Sequence, residues 1–169
     1  MLRATLTLAI LALGTMVAQA DVVADCNQTR DLDRTIRACS RYIQIGSVSP
    51  QNLAVAYLNR GNAYSRQRKF GQALADFSSA IQLDPDSALP YYNRGNAHFD
   101  QGDDAKSIAD YTSAIEKEPG FALAFYNRGL AQERQGHRQA AAADYRRALE
   151  LNPNDQRSSK RLDRLQQAR

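Results

Sequence analysis

From Ala54 onward the apolar positions fall at helical spacing, and the pattern repeats. The stretch Tyr57-Leu58-Asn59-Arg60-Gly61-Asn62-Ala63 returns as Tyr91-Tyr92-Asn93-Arg94-Gly95-Asn96-Ala97 and again as Phe125-Tyr126-Asn127-Arg128-Gly129-Leu130-Ala131, so Gly61, Gly95 and Gly129 are evenly spaced. A fixed period of about 20 to 50 residues marks a stack of supersecondary units in which each unit buries its apolar face only against its neighbours. Three units follow, Ala54 to Ser87, Ala88 to Phe121 and Ala122 to Asp155, each reading as two helices joined by a tight turn. The first helix carries an aromatic (Tyr57, Tyr91, Phe125) and then the glycine. A glycine inside a helix costs about 0.5–1 kcal/mol against alanine, so three in register predict the close approach of another helix. The second helix answers with small residues (Ala73, Ser107, Ala141; Ala80, Ala114, Ala148) around an aromatic filler, Phe77, Tyr111 or Tyr145. Pro85, Pro119 and Pro153 stop the second helices, because proline cannot continue the backbone ladder.

Two flanking segments complete the pattern. Residues 21–53 resemble half of a later unit: Thr35 to Gln44 aligns with Ala73 to Gln82, with Ile36, Cys39 and Ile43 at helical spacing and Cys39 where later units place an aromatic. Gly46-Ser47-Val48-Ser49-Pro50 breaks that helix. Residues 156–169 read as a basic capping helix, with Leu162 and Leu165 beneath otherwise charged faces and Asn154-Asp155 at its start.

The first twenty residues have a different character. A positive start at Arg3, an apolar run from Leu6 to Val17 and the small-x-small triplet Ala18-Gln19-Ala20 read as a secretory signal peptide cleaved before Asp21. A membrane anchor is the rival reading, but it needs about 18 or more apolar residues without a break. Asp21 rather than cysteine follows the cleavage site, against a lipid anchor. Export, to the periplasm of a Gram-negative bacterium, is the expectation, with the N-terminus of the mature protein as its check.

Charge and chemistry change this picture little. The chain carries 22 basic and 18 acidic side chains, for a net charge of +4. Arg157, Lys160, Arg161, Arg164 and Arg169 against Asp163 account for that excess, so no basic face marks the repeats as a nucleic-acid binder. In an oxidising compartment Cys26 and Cys39 are expected to form a disulfide, while a redox pair would prefer a Cys-x-x-Cys spacing. His98 reads as a packed helix residue and His137 as a turn residue, neither with partners at metal-ligand spacing. No phosphate loop, nucleophile set or acid-base pair appears, so no enzyme and no cofactor is expected.

The set aromatic, glycine, small, aromatic, small, proline at these offsets over residues 54–155 resembles the tetratricopeptide repeat family. The leading cysteine-bearing half unit looks like exported bacterial members of that family. The resemblance implies an all-α, right-handed superhelical solenoid whose concave groove binds a partner protein or peptide. Carried over residue by residue, the groove positions are Val55, Leu58, Asn62, Ser65 and Arg66; Leu89, Tyr92, Asn96, Phe99 and Asp100; Leu123, Tyr126, Leu130, Glu133 and Arg134. The groove core is then Leu58, Asn62, Leu89, Tyr92, Asn96, Phe99, Leu123, Tyr126 and Leu130, mostly apolar with amide rungs. The family's chaperone-tail binders clamp a terminal carboxylate with cations beside asparagines. Asn62 and Asn93 match that pattern, whereas Leu58, Leu123 and Asn127 stand where the cations are needed.

The chain also departs from the family where leucine usually precedes the glycine. Arg60, Arg94 and Arg128 stand there, each with an aspartate sixteen residues on, Asp76, Asp110 and Asp144. The charges covary within the sequence itself, which predicts ion pairs between the first helix and a second helix of the same or the adjacent repeat. The function expected is a non-catalytic adaptor for another exported protein, monomeric or weakly oligomeric, with no nucleic acid and no membrane span in the mature chain. An architectural or self-associating subunit of a cell-envelope assembly is the alternative.

Overall fold

The computed structural model describes residues 24–27, 30–46 and 48–167; the segment read as a signal peptide lies outside them. All regular structure among the described residues is helical. A short helical turn at 24–27 precedes α1 (Leu32–Ile45), α2 (Pro50–Arg66), α3 (Phe70–Leu83), α4 (Ala88–Asp100), α5 (Asp104–Lys117), α6 (Ala122–Arg134), α7 (Arg138–Leu151) and α8 (Gln156–Gln167). The chain divides into two compact units, one reaching Leu83 and one beginning at Asp84.

In the first unit α1 packs on α2 and α2 on α3. Asp31 starts α1 by accepting a hydrogen bond from the Arg34 amide at 2.9 Å. Gly46 ends the helix at φ 72°, in the left-handed region that glycine enters freely. Pro50, the last residue of the expected helix breaker, is the first residue of α2. Its fixed φ suits that position, and Ser49 caps the helix by accepting from the Asn52 amide. Cys26, Ala38, Cys39 and Ala56 form a buried cluster with Tyr42 and Ile43 against it, and Cys26 and Cys39 stand at disulfide distance, S–S 2.14 Å.

The second unit runs α4 to α8, each helix packed on the next, with α4 also reaching α6. The glycines sit where two helices come closest. A Cβ added at Gly95 would lie 2.8 Å from the Tyr111 ring, and in the first unit one at Gly61 would lie 2.7 Å from the Phe77 ring. The aromatic fillers are the most deeply buried large side chains, Phe77 and Tyr145 at 0% and Tyr111 at 1% exposure. The turns differ in a way the period did not advertise. Gly102 and Gly136 adopt φ 83° and 82°, and Arg68, at the equivalent place in the first unit, takes φ 59°. That left-handed conformation costs a side-chain-bearing residue about 1–2 kcal/mol.

The three arginines fork onto the aspartates of their own repeats. Arg60 Nε and Nη2 donate to Asp76 at 2.8 Å each, Arg128 repeats the geometry on Asp144, and Arg94 binds Asp110 at 2.9 and 2.7 Å. The acids are nearly buried, with 7, 9 and 7% of the side chain exposed for Asp76, Asp110 and Asp144. The bond to the carboxylate raises the pKa of Arg60 and Arg94, outweighing the burial that would lower it. A second bond ties each of two arginines to the preceding second helix: Arg60 donates to Ser40 at 2.9 Å and Arg128 to Thr112 at 3.0 Å. Each guanidinium also lies over the aromatic three residues before it, 5.4 Å from the Tyr57 ring for Arg60. That placement sets a cation against the negative face of each ring.

Candidate functional site

The candidate groove positions lie on the first helices α2, α4 and α6. In the first unit Val55 is 48% exposed, and Leu58 and Asn62 are half-buried. In the second unit Leu89 and Leu123 occupy the same register on α4 and α6 and are 48 and 41% exposed. Among the described residues, these three are the large hydrophobic side chains left in water. Three consecutive repeats place an exposed aliphatic at one position, a repeated exposure of a kind that marks interaction surfaces more often than scattered single residues do.

On the same helices the second unit holds a network that sequence reasoning did not assemble. Tyr111 is buried on α5, and its hydroxyl donates to Asn96 Oδ1 at 2.8 Å. Asn127 on α6 donates to the same oxygen at 2.9 Å and to the Tyr92 hydroxyl at 3.0 Å. The Tyr92 ring packs against Phe121 at 4.7 Å and Tyr111 at 5.9 Å between centroids. Tyr92 and Asn96 therefore belong to one bonded cluster that ties α4 to α5 and α6. Burial pushes the Tyr111 hydroxyl well above its ordinary pKa, so it acts as a neutral donor. The signal in the sequence was Asn127 itself, which recurs in register with Asn59 and Asn93.

A pocket of about 340 Å³ opens here, lined by Asn96, Phe99, Asp100, Tyr111, Asn127 and Leu130. The Arg134 guanidinium stacks 3.8 Å above the Phe99 ring, donates to the Phe99 carbonyl at 2.8 Å and forks onto Asp104 with a contact of 2.7 Å. Leu130 cannot accept the Tyr145 hydroxyl as Asn96 accepts that of Tyr111. Tyr145 turns instead to Glu133 at 2.8 Å. Burial, together with that bond, raises the Tyr145 pKa. Glu133 is further gripped by Arg161 and Arg164 of α8. Burial alone would raise the Glu133 pKa, but these bonds together hold it below the ordinary 4.5. Tyr126 packs on Tyr145 at 5.8 Å and lies beneath Arg157 at 4.9 Å. Glu133 and Arg134, carried over as groove positions, are thus committed inside the unit, while Leu89, Leu123, Asp100 and the Asn96 amide group face outward chemistry.

Among the described residues no group of three or more His, Cys, Asp or Glu side chains could hold a metal ion, and no helix is long and apolar enough to cross a membrane. His98 is 14% exposed, 3.9 Å from Asp110, and its Nδ1 is buried without a hydrogen-bond partner. His137 is exposed at the start of α7.

Sequence profiles match the same three repeats in which these helical hairpins recur. A TPR repeat profile matches residues 61–102 and 95–136, and a tetratricopeptide repeat profile matches residues 122–155. The chain belongs to the tetratricopeptide repeat (TPR) family. It has no significant match among curated proteins. Among solved structures it is similar to the first TPR domain of Spaghetti (RPAP3) bound to the HSP90 peptide SRMEEVD, with 27% identity over 72% of this chain and 94% of that one, TM-score 0.67. The second TPR domain of human RPAP3, in complex with the HSP70 peptide SGPTIEEVD, is 26% identical over 69% of this chain and 98% of its own, TM-score 0.67. MamA shares the fold at TM-score 0.78 and 23% identity, over 90% of this chain and 81% of that one.

Proposed function

We propose that this TPR chain is a non-catalytic adaptor that holds a peptide or helix of a partner protein across α4 and α6 of its second unit. The observation that carries this reading is the exposure of Leu89 and Leu123 in one register on α4 and α6, the helices that Tyr92, Asn96 and Asn127 bond together. A cluster already bonded within the fold pays no ordering entropy when a ligand arrives, and the two leucines supply apolar area to be covered. Similar TPR domains hold peptides of HSP90 and HSP70, which supports the class of ligand. Phe99, Tyr126 and Leu130 flank the cluster, and Leu58 and Asn62 hold the equivalent positions in the first unit. Residues 1–20 and the buried Cys26–Cys39 pair support delivery to an oxidising compartment such as the periplasm, and so an exported partner.

The test is a crosslinking pull-down from the native host with wild type and with the double variant Leu89→Ser, Leu123→Ser. Both leucines are exposed, so the variant is expected to melt like wild type. Partners held through the groove should drop about tenfold or more, as for hot-spot residues. An unchanged partner set would overturn the groove reading, and a concentration-dependent oligomer in light scattering would favour a self-associating subunit.

A further inference from the structure

Charge around the pocket of the second unit is almost fully spoken for. Asp104 is forked by Arg134, Asp110 by Arg94, Asp103 meets Lys106 at 2.7 Å, and Glu133 receives Tyr145, Arg161 and Arg164. Asp100 differs: it is exposed at the end of α4, lines the pocket, and no hydrogen bond or ion pair engages its carboxylate among the described residues. Arg134 feels its field but is held by Asp104 and by the Phe99 ring. The Asn96 carbonyl is used twice by Tyr111 and Asn127, so its amide hydrogens are the part left to donate. The pocket of about 340 Å³ therefore presents one uncompensated negative charge and one amide donor beside Leu130, while the exposed Leu89 and Leu123 stand outside its lining on the same two helices, α4 and α6.

We propose that this site selects a basic-apolar peptide segment, with a lysine or arginine set against Asp100 and apolar side chains covering Leu89 and Leu123. The inference rests on the groove reading above and adds its specificity. Asn96 donates to a backbone carbonyl of the extended segment, which fixes its position without reading its sequence. An acidic segment would bring a carboxylate to Asp100 while Arg134, the cation that feels Asp100, is already held by Asp104, so like charges would oppose it.

The experiment is display selection of a degenerate octapeptide library, with leucine fixed at two positions, on wild type, Asp100→Asn and Leu89→Ser, Leu123→Ser. Fluorescence anisotropy of the selected peptides and of the peptide SRMEEVD follows. Asp100 is exposed, so Asp100→Asn is expected to keep the wild-type melting curve. Wild type should enrich lysine and arginine over acidic residues and bind the basic peptides roughly two- to fivefold tighter than their glutamine versions, the range one exposed ion pair supplies. Asp100→Asn should erase that preference and leave the apolar part of the binding, and SRMEEVD should bind more weakly than either. A pool without basic preference, a preference that survives Asp100→Asn, or tight binding of SRMEEVD overturns the inference and leaves the groove reading standing. Peptides that bind the leucine double variant equally, or no selection at all, overturn both. A dimer lost on Asp100→Asn would assign the site to a second copy and overturn the foreign partner.

Discussion

The two ends of the described chain are closed by different physics. At the N-terminal end the turn at 24–27 is too short to bury its own apolar face, and it is joined to α1 through the buried Cys26–Cys39 pair. A rim of polar contacts surrounds it: Arg34 with Asp25 at 2.8 Å and Asn59 with Asn27 at 3.0 Å. At the C-terminal end α8 is a full 12-residue helix, yet Leu162 and Leu165 are only half-buried and Ser158 is its buried residue. It is held by charge and hydrogen bonding: Ser158 to Asp155 at 2.8 Å, Arg157 over Tyr126, and Arg161 and Arg164 on Glu133. A strap too small for a core relies on a covalent link, whereas a longer polar helix can rely on ions. The first end is then vulnerable chiefly to reductant, with one exposed ion pair at its rim, and the second chiefly to salt and acid.

The largest effect should come from breaking the covalent end. Replacing both cysteines with serine, or reducing the wild type, removes the constraint on a loop with a sequence separation of 13 residues. The chain-entropy treatment of such a loop gives about 3 kcal/mol. Urea unfolding of oxidised wild type and Cys26→Ser, Cys39→Ser measures the loss, and hydrogen exchange locates it. Protection should fall in α1 and α2 and hold in α8. A loss below about 1 kcal/mol, or one shared equally by α8, would break the contrast between the ends.

Glu133→Ala is the corresponding cut at the other end. It leaves the buried Tyr145 hydroxyl without its acceptor and frees Arg161 and Arg164. Stranding a buried donor in this way has an expected cost of about 1–3 kcal/mol. Because the folded pKa of Glu133 lies below its ordinary 4.5, its contribution is fully present above that value and is lost as pH falls through the folded pKa. Exchange protection of α8 in wild type should therefore drop on acidification and in molar salt, and in Glu133→Ala it should already be low and respond less to both, the remaining response coming from Asp155, which Arg157 and Ser158 engage. Equal acid sensitivity in wild type and variant would remove Glu133 from the account.

The architecture was legible because the period is carried by residues whose job is steric: Gly61, Gly95 and Gly129 under Phe77, Tyr111 and Tyr145 leave one way to pack. The partner of each arginine was narrowed to two aspartates by covariation, and it took the helix-pair geometry to choose the one in the same repeat. The bonded cluster of the candidate site was less legible. Asn96 and Leu130 share a register yet differ in chemistry, and the consequence, Tyr145 turning to Glu133, depends on three-dimensional reach rather than spacing. Arg68 at a left-handed turn was hidden for a different reason: a side-chain-bearing residue does not announce a positive φ, and only its register with Gly102 and Gly136 hints at the conformation.

The smallest expected effect concerns His98, and it decides whether the acid response of the C-terminal end can be read cleanly. Burial lowers the His98 pKa below its ordinary 6.5, against the opposing pull of Asp110 and Asp103, while Lys106 and Arg94 add to the lowering. Its folded pKa is depressed, so its contribution is present above 6.5 and is lost as pH falls through the lower folded value, a window that opens at higher pH than that of Glu133. Two acid-labile steps should then appear in the stability of wild type. His98→Phe keeps an aromatic ring in the helix interior and removes the ionisation, so stability measured by urea unfolding should become flat from neutral pH down to about 5 and then fall only with the carboxylates held below their ordinary range, Glu133 and Asp155 among them. The imidazole keeps partial contact with water and has a carboxylate 3.9 Å away. The step removed should therefore be under about 1 kcal/mol. If the higher step survives in His98→Phe, another group titrates there and the acid response cannot be divided between the interior of the second unit and its end.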